Sequence, residues 1–373
     1  MEKIILKIKI FAIFLSCIIL TSCLKEPDLK LPFKTFVPVN LNDGWELSTP
    51  TQEGIDEAEL QKIYQYFHES KDLWTVHSLL VFRNNKLVAE SYTKNPAEIN
   101  REPVPIWSCT KQVTGLLAGI AIEQGFIEDI NDPIQKYLPD KIRHYPDKGT
   151  ISIRNLLQME SGIAFENDGF SGESNKLLLE VPSNSLDFIL GLPTPYSPGE
   201  YFYYKDGDPH LISAILQHRT GKTMKDWAEE VLFSKIGFKN YEWAVYKDGI
   251  TMGSFGISTT PREMARIGHV VLNRGYWNGQ QIVSSVWIDE MTSVKVLAEK
   301  VNYYGKSFGY LWWIDESRGI VFMGGHGGQF VIVKPSKKLV IVTTADKTDD
   351  WEKFGFSINK AFDIIDRIDK ITE

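Results

Sequence analysis

Ser108 and Lys111 are the two residues whose types and spacing most clearly indicate chemical reactivity. They lie within the stretch WSCTKQVTG at residues 107–115. A serine hydroxyl is a weak nucleophile until a base removes its proton. A lysine one helical turn further along lies on the same face as the serine and can act as that base when it is neutral. Because the pKa of a lysine in water is about 10.4, burial or a nearby cation must lower it. A working pair therefore needs a dry cleft and further polar groups.

The Ser-x-x-Lys spacing alone does not identify a catalytic pair, because it occurs four times in the sequence. The other copies start at Ser22, Ser91 and Ser357. Only the copy at Ser108 precedes apolar residues at helical spacing, which are Val113, Leu116, Leu117, Ile120 and Ala121. The spacing predicts a helix over residues 110–124 that ends at Gly125. Ser108 then occupies the N-cap or first turn, either as a nucleophile or as an ordinary helix cap. The adjacent Cys109 points to another face and is predicted to be a buried structural residue.

Two later stretches hold side chains that can complete such a site. In SPGEYFYYKDGDPHLISAIL, Tyr204 lies in a polar loop before a helix, and in MGGHGGQFVIV, His326 lies in a glycine-rich entry to a strand. The alternative for Tyr204 is a core or cleft-wall aromatic, since Tyr201, Phe202 and Tyr203 precede it. The alternative for His326 is a histidine that bonds a backbone carbonyl in a tight strand.

These three stretches resemble the serine β-lactamase-like hydrolases, a family that includes class C β-lactamases, related penicillin-binding proteins, esterases and 6-aminohexanoate-oligomer hydrolases. The family signatures are Ser-x-x-Lys, then Tyr-x-Asn or Tyr-x-Ser, then Lys/His-x-Gly on a strand, and this chain has related motifs in that order. The resemblance extends from about residue 55 to residue 362, through stretches such as DINDPIQKYLPD and ISIRNLLQMESGI.

The resemblance implies a role for each motif residue. Ser108 is the acylated nucleophile and Lys111 accepts its proton. Tyr204 relays a proton to the leaving group and helps to activate the hydrolytic water. His326 takes the place of the lysine that opens the third motif. The backbone amides of Ser108 and Gln329 form the oxyanion hole, in which one donor is typically worth a factor of about 10² to 10³ in rate.

The chain departs from the family pattern at two positions. Asp206 stands where the family has Asn or Ser, and a carboxylate near Lys111 raises the lysine pKa unless Asp206 pairs with Lys205 or orders the loop. His326 stands where the family usually has a lysine, so the chain lacks a fixed cation that can hold a β-lactam carboxylate. This difference favours an esterase, amidase or peptidase. Asp206, Gly327 and Gly328 are expected to contact substrate.

The amino-terminal residues have the composition of a secretion signal. Lys3, Lys7 and Lys9 precede an apolar run at residues 10–20, and Leu-Thr-Ser-Cys follows at residues 20–23. This pattern resembles a bacterial lipobox, which implies a signal peptide at residues 1–22 and a lipid on Cys23. The alternative is a membrane-spanning anchor, but the run is shorter than the ~20 residues that a span needs. We expect an exported lipoprotein held at a membrane, facing the periplasm or the cell surface.

The remaining chain predicts an α+β body of the β-lactamase/transpeptidase-like class. An extended tether is expected at residues 23–50 and the hydrolase domain at residues 51–373. Two β-rich runs around Asn84-Asn85 predict a hairpin whose second strand holds Ser91. Near the end of the chain, the stretches GYLWWI, GIVFMGG and FVIVKPSKKLVIVTTA also predict strands. These regions, at about 51–105 and 300–373, predict an antiparallel sheet built from both chain ends, with flanking helices. A helical subdomain is predicted at about 106–299.

Composition limits the partners and the chemistry. A formal charge of −7 without long runs of one sign disfavours nucleic acid. The sequence contains no metal-ligand motif and no phosphate loop, so we expect no metal and no organic cofactor. The resulting hypothesis is an exported serine hydrolase that cleaves a small-molecule or peptide-like ester or amide. The alternatives are a D,D-peptidase or β-lactamase proper, and a catalytically decayed cell-envelope binding protein.

Overall fold

The computed structural model describes residues 30–373 except 74, 96–99, 101, 167–172, 181–183, 302–303 and 347–357. The predicted signal peptide, Cys23 and the serines at positions 22 and 357 therefore lie outside the described residues. Within the described residues, no helix combines the length and the apolarity needed to cross a bilayer.

The first two long strands form a hairpin at the predicted asparagine pair. Strand β1 spans Val76–Arg83 and strand β2 spans Lys86–Tyr92. Asn84 and Asn85 between them have φ angles of 51° and 66°, which suit a type I′ turn. Ser91 lies in β2, so its Ser-x-x-Lys copy is not helical, as the predicted strand requires.

A seven-stranded antiparallel sheet combines both ends of the chain, in the order β2-β1-β12-β11-β10-β9-β8. The carboxy-terminal strands are β8 (Ser307–Phe308), β9 (Trp313–Asp315), β10 (Ile320–Gly325), β11 (Gln329–Lys334) and β12 (Leu339–Ala345). The predicted α+β class and its two-ended sheet are confirmed. The expected strand over GYLWWI is broken, because Leu311 has a φ angle of 62° and ends the extended path before β9.

The helices lie before, between and after these strands. They are α1 (Glu57–Glu69), α2 (Cys109–Glu123), α3 (Ile134–Tyr137), α4 (Pro139–Ile142), α5 (Ile153–Leu157), α6 (Glu173–Glu180), α7 (Ser185–Leu190), α8 (Gly207–Thr220), α9 (Met224–Ala228), α10 (Ser234–Ile236), α11 (Pro261–Leu272), α12 (Ser285–Met291) and α13 (Ile358–Lys370).

Helices pack on both faces of the seven-stranded sheet. Phe322 of β10 packs edge-on against Phe362 of α13, with ring centroids 5.5 Å apart. Neighbouring residues of a strand point to opposite faces, and on the other face Val331 packs against Gly268 of α11. A Cβ on Gly268 would lie 2.6 Å from Val331, so α11 sits directly on the sheet.

Sequence reasoning missed five short strands, four of them inside the predicted helical region and the first, β3, directly before it. They are β3 (Val104–Pro105), β4 (Tyr241–Trp243), β5 (Ile257–Thr259), β6 (Tyr276–Trp277) and β7 (Gln280–Gln281). The order of the three-stranded sheet is β3-β5-β4, and β6 pairs with β7. Runs of two or three residues carry too little alternation to predict a strand.

The segment predicted as a tether has no helix over residues 30–48, bends at residues 42–44 and lies along the body at the edge strand β2. Glu90 donates its backbone N–H to the Phe36 carbonyl at 2.8 Å, and Phe36 is buried. Arg262 of α11 binds both carboxylate oxygens of Glu90 at 3.0 and 2.5 Å and donates to the Val39 carbonyl at 2.7 Å. A paired charge of this kind is what allows Arg262 and Glu90 to be buried.

We predict that Arg262→Met lowers the free energy of unfolding by about 3–5 kcal/mol, because it leaves the buried Glu90 without its partner. Urea denaturation followed by circular dichroism measures the change. Arg274→Met is the control, since Arg274 pairs with Asp289 in solvent and exposed pairs contribute little. Equal stability of the two variants would contradict the prediction.

Candidate active site

Ser108 directly precedes α2 and does not cap it. Its backbone is helical, with φ −63° and ψ −10°, and its side chain makes no capping hydrogen bond. The Ser108 Oγ instead lies 2.8 Å from the Nζ of Lys111. The preceding Trp107 has a φ angle of 50°, a conformation that costs free energy and needs support from its surroundings. The geometry therefore matches a nucleophile with its base rather than a helix cap.

Lys111 is fully buried, and its side-chain nitrogen contacts a backbone carbonyl, a carboxylate and an aromatic ring. The Nζ donates to the Ser254 carbonyl at 3.2 Å, forms an ion pair with Asp206 and lies 4.8 Å from the centre of the Tyr204 ring. Burial lowers the pKa of Lys111, and the Asp206 carboxylate acts against this shift. The dry environment that the sequence required is present, together with an opposing charge.

Asp206 and Lys205 point to different sides of the loop before α8. Asp206 pairs with Lys111, not with Lys205, so the alternative in which Asp206 is neutralised by Lys205 is wrong. The Nζ of Lys205 donates to the Ser161 Oγ and the Ile163 carbonyl, both at 3.0 Å, and lies 3.6 Å from Asp208. Asp206 has helical backbone angles, with φ −89° and ψ −19°, and the two adjacent residues take part in separate ion pairs.

Ser161 completes a buried network behind this loop. Its Oγ donates to Asp208 at 2.6 Å, and Ser161, Lys205 and Asp208 are all buried. Burial lowers the pKa of Lys205 and raises that of Asp208, and each charge opposes the shift of the other. The network joins residues 161–163 to the loop that carries Tyr204, and no sequence motif indicated it.

Tyr204 lies beside Lys111 in an aromatic setting. Only 7% of it is exposed, and its ring centre is 5.3 Å from that of Trp313 and 6.4 Å, edge-on, from that of Phe308. The structure thus brings Tyr204 to the Ser108 site, as the motif predicts. Trp313 supports the Tyr204 ring from the sheet, a contact that required knowledge of the register.

The third motif forms the turn of the β10–β11 hairpin and leads directly into β11, as the predicted strand entry requires. Gly327 and Gly328 have φ angles of 87° and 110°, which residues with a Cβ rarely adopt. The hairpin approaches the start of α2 closely, since a Cβ on Gly325 would lie 2.2 Å from the Ile106 carbonyl. His326 packs edge-on against Trp107 with ring centroids 6.0 Å apart. His326 is thereby placed beside the residue that precedes Ser108.

The Gln329 side chain holds this hairpin against β12. Its Nε2 donates to the Ala345 carbonyl at 2.6 Å, and its Oε1 accepts from the Ala345 backbone N–H at 3.2 Å. Thr343 Oγ1 also donates to the Gly328 carbonyl at 2.9 Å. The predicted oxyanion-hole role of the Ser108 and Gln329 backbone amides stays a prediction, because it needs a substrate oxygen to be measured.

Cys109 has the structural role that its position predicts. It is fully buried, and its Sγ donates to the Gln329 carbonyl at 3.3 Å. Burial raises the pKa of the thiol well above its ordinary value. A buried protonated thiol is a poor nucleophile, which is consistent with a structural role for Cys109.

Neither of the two cavities described below is lined by Ser108 or Lys111. A cavity of about 730 Å³ lies among residues 31–43, β2 and the start of α11, away from Ser108. A second cavity of about 240 Å³ is lined by Tyr203 and Lys205, on the far side of the Tyr204 loop. We assign the site from the contacts around Lys111, because those contacts place the reacting groups together. Among the residues that the structure describes, no cluster of three His, Cys, Asp or Glu side chains can hold a metal ion.

We predict that Asp206→Asn moves the acid limb of the Ser108 reaction rate to lower pH. The base must be neutral, and removal of the carboxylate leaves burial to lower the pKa of Lys111 unopposed. Rates of reaction with a fluorophosphonate measured across pH test this, with Asp132→Asn as the control at an unrelated carboxylate. An acid limb that stays in place or moves to higher pH would refute it.

A second prediction concerns the network behind the loop. Lys205→Met leaves Asp208 buried and unpaired and should lower the free energy of unfolding by about 3–5 kcal/mol. Lys205→Met/Asp208→Asn removes both charges and should recover most of that loss. A double-mutant cycle by urea denaturation measures the coupling, and additive effects of the two substitutions would show that the pair is not coupled.

Comparisons with known proteins identify the family and the fold. The Beta-lactamase family model matches residues 76–354. The 6-aminohexanoate-dimer hydrolase of Paenarthrobacter ureafaciens is 24% identical, over 74% of this chain and 72% of that protein. A family VIII carboxylesterase has a similar fold, with a TM-score of 0.68, 17% identity and coverage of 85% of this chain and 99% of that chain.

A penicillin-binding protein from Bacillus halodurans is also similar, with a TM-score of 0.63, 15% identity and coverage of 83% of this chain and 99% of that chain. At these identities the solved structures establish the fold alone. The family match spans most of the chain and includes Ser108, Lys111, Tyr204 and His326. The chain therefore belongs to the Beta-lactamase family and is a serine hydrolase with the β-lactamase fold.

Proposed function

We propose that the protein cleaves an ester or amide bond through an acyl-enzyme on Ser108. The observation that carries this proposal is the 2.8 Å contact between Ser108 Oγ and the fully buried Lys111 Nζ. Neutral Lys111 takes the Ser108 proton while Oγ attacks the substrate carbonyl carbon. The leaving group departs with a proton that Tyr204 relays, and water then hydrolyses the acyl ester and restores Ser108.

The proposed substrate is a small-molecule or peptide-like ester or amide. His326 occupies the position where related enzymes have a lysine, so no fixed lysine cation faces a substrate carboxylate there. The names of two similar proteins describe an amide-bond hydrolase and a carboxylesterase, which supports this substrate range. A D,D-peptidase or a β-lactamase proper is the second candidate, favoured by the fold shared with penicillin-binding proteins.

The rival from another class is a cell-envelope binding protein that has lost turnover. Its support is the ion pair between Lys111 and Asp206, which favours the charged form of the base. Absence of hydrolysis by the wild type at any pH, together with a large gain in Asp206→Asn, would support this rival. A loss of hydrolysis in that variant would show that Asp206 belongs to the mechanism.

We further propose export and lipid attachment at Cys23, which place the body at a membrane, facing the periplasm or the cell surface. The support is the basic start, the apolar run and the Leu-Thr-Ser-Cys stretch of the sequence. Labelling of expressing cells with a radioactive fatty acid tests the attachment. Label on the wild type that is absent from Cys23→Ser supports it, and no label on either protein would contradict it.

The hydrolase proposal predicts a covalent adduct on Ser108. Treatment with a fluorophosphonate should add one phosphonyl group, detected by intact-protein mass spectrometry, and Ser108→Ala should remove it. Cys109→Ala is the matched control and should keep the adduct, since the thiol is buried. A stable penicilloyl adduct as well would shift the function toward penicillin-binding enzymes. Absence of both adducts on folded protein would favour the binding-protein rival.

A further inference from the structure

Four aliphatic side chains near the start of the described chain are exposed to solvent. Leu31, Val37, Val39 and Leu41 are 43%, 63%, 60% and 44% exposed, and we call them the apolar strip. The last three are spaced two residues apart in the chain. All four line the cavity of about 730 Å³ at the β2 edge. Contiguous exposed apolar side chains mark contact sites for another surface.

Hydrogen bonds fix the backbone of the strip, so the exposure of its side chains is a property of the folded protein. Val39 donates its N–H to the Glu90 carboxylate at 3.0 Å and accepts from Arg262 at 2.7 Å. Leu31 donates to the Thr93 carbonyl at 2.8 Å, and the buried Phe36 turns inward between the exposed residues. Inward and outward side chains cannot exchange without breaking these bonds.

The charged groups at the floor of the cavity bind one another. Arg262 and Glu90 form a two-bond ion pair, and the Tyr92 hydroxyl donates to Glu90 at 2.6 Å. The side chains of the strip reach solvent, whereas Arg262 and Glu90 are buried. The partner is therefore recognised through apolar contact more than through an ion pair with Arg262 or Glu90.

The position of the strip in the chain identifies that partner. Leu31 is eight residues beyond Cys23, and eight extended residues span at most about 29 Å. If Cys23 carries a lipid, Leu31 at the start of the strip lies within that distance of the lipid. The exposed Lys34 lies between Leu31 and Val37, and cationic side chains beside apolar ones favour anionic headgroups.

We propose that the apolar strip contacts the surface of the membrane and sets the orientation of the body on it. This inference rests on the proposed lipid attachment at Cys23 and not on the hydrolase chemistry. The lipid alone fixes the distance of the body from the bilayer, whereas a lipid and a second contact also fix which face of the body turns to it.

The test uses the full acylated protein on phosphatidylcholine and phosphatidylglycerol vesicles. Val39→Cys and, as control, Val286→Cys each receive a polarity-sensitive fluorophore. Val286 is 69% exposed on α12. Cys109 is buried and Cys23 is acylated, so the introduced thiol is the reactive one. We expect a blue shift and quenching by brominated lipid at position 39, and neither at position 286.

The possible results separate the hypotheses. Protein that floats with the vesicles but shows no blue shift at position 39, or equal shifts at both positions, overturns the inference. Failure to float refutes the lipid attachment and the inference with it, while the Ser108 adduct remains a separate measurement. A blue shift at position 39 without vesicles assigns the strip to a second copy of the chain and also overturns the inference. Val37→Asp should reduce the shift of a fluorophore at Leu41→Cys.

Discussion

The burial of Lys111 is the physical constraint on which the active site depends. An amine taken out of water prefers its neutral form, and only the neutral form can remove a proton from Ser108. The Asp206 carboxylate acts in the opposite direction, so the charge state of the base follows from a balance of two large effects. Single groups that alter this balance change reactivity without touching the serine.

The rest of the fold serves to exclude water from that amine while leaving Ser108 at an accessible end. Helix α2 is buried along almost its whole length, between the sheet and the helices that follow it. Gly325 allows the β10–β11 hairpin to press against the start of α2, and the Tyr204 ring covers Lys111 from another direction. Three segments that are distant in sequence therefore form one dry compartment.

The sequence contains the helix of Ser108, the Asn84-Asn85 hairpin and the order of the three motifs, because each depends on residues close together in the chain. It does not reveal which carboxylate pairs with Lys111, since Asp206 and Asp208 are two residues apart and only the direction of each side chain separates their partners. The Gln329 contact with Ala345 and the docking of residues 30–48 on β2 are long-range hydrogen bonds. Composition and periodicity carry no information about such pairings.

Joining the two chain ends in one sheet has a consequence for the order of folding. Val81 of β1 pairs with Ile341 of β12, 260 residues later, so β1 has no β12 partner until almost the whole chain has been synthesised. Contacts this distant in sequence form slowly. The contact between Trp107 and His326 likewise joins an early part of the chain to a late one. A ribosome-bound chain therefore carries Ser108 and Lys111 for most of synthesis without the hairpin that holds His326.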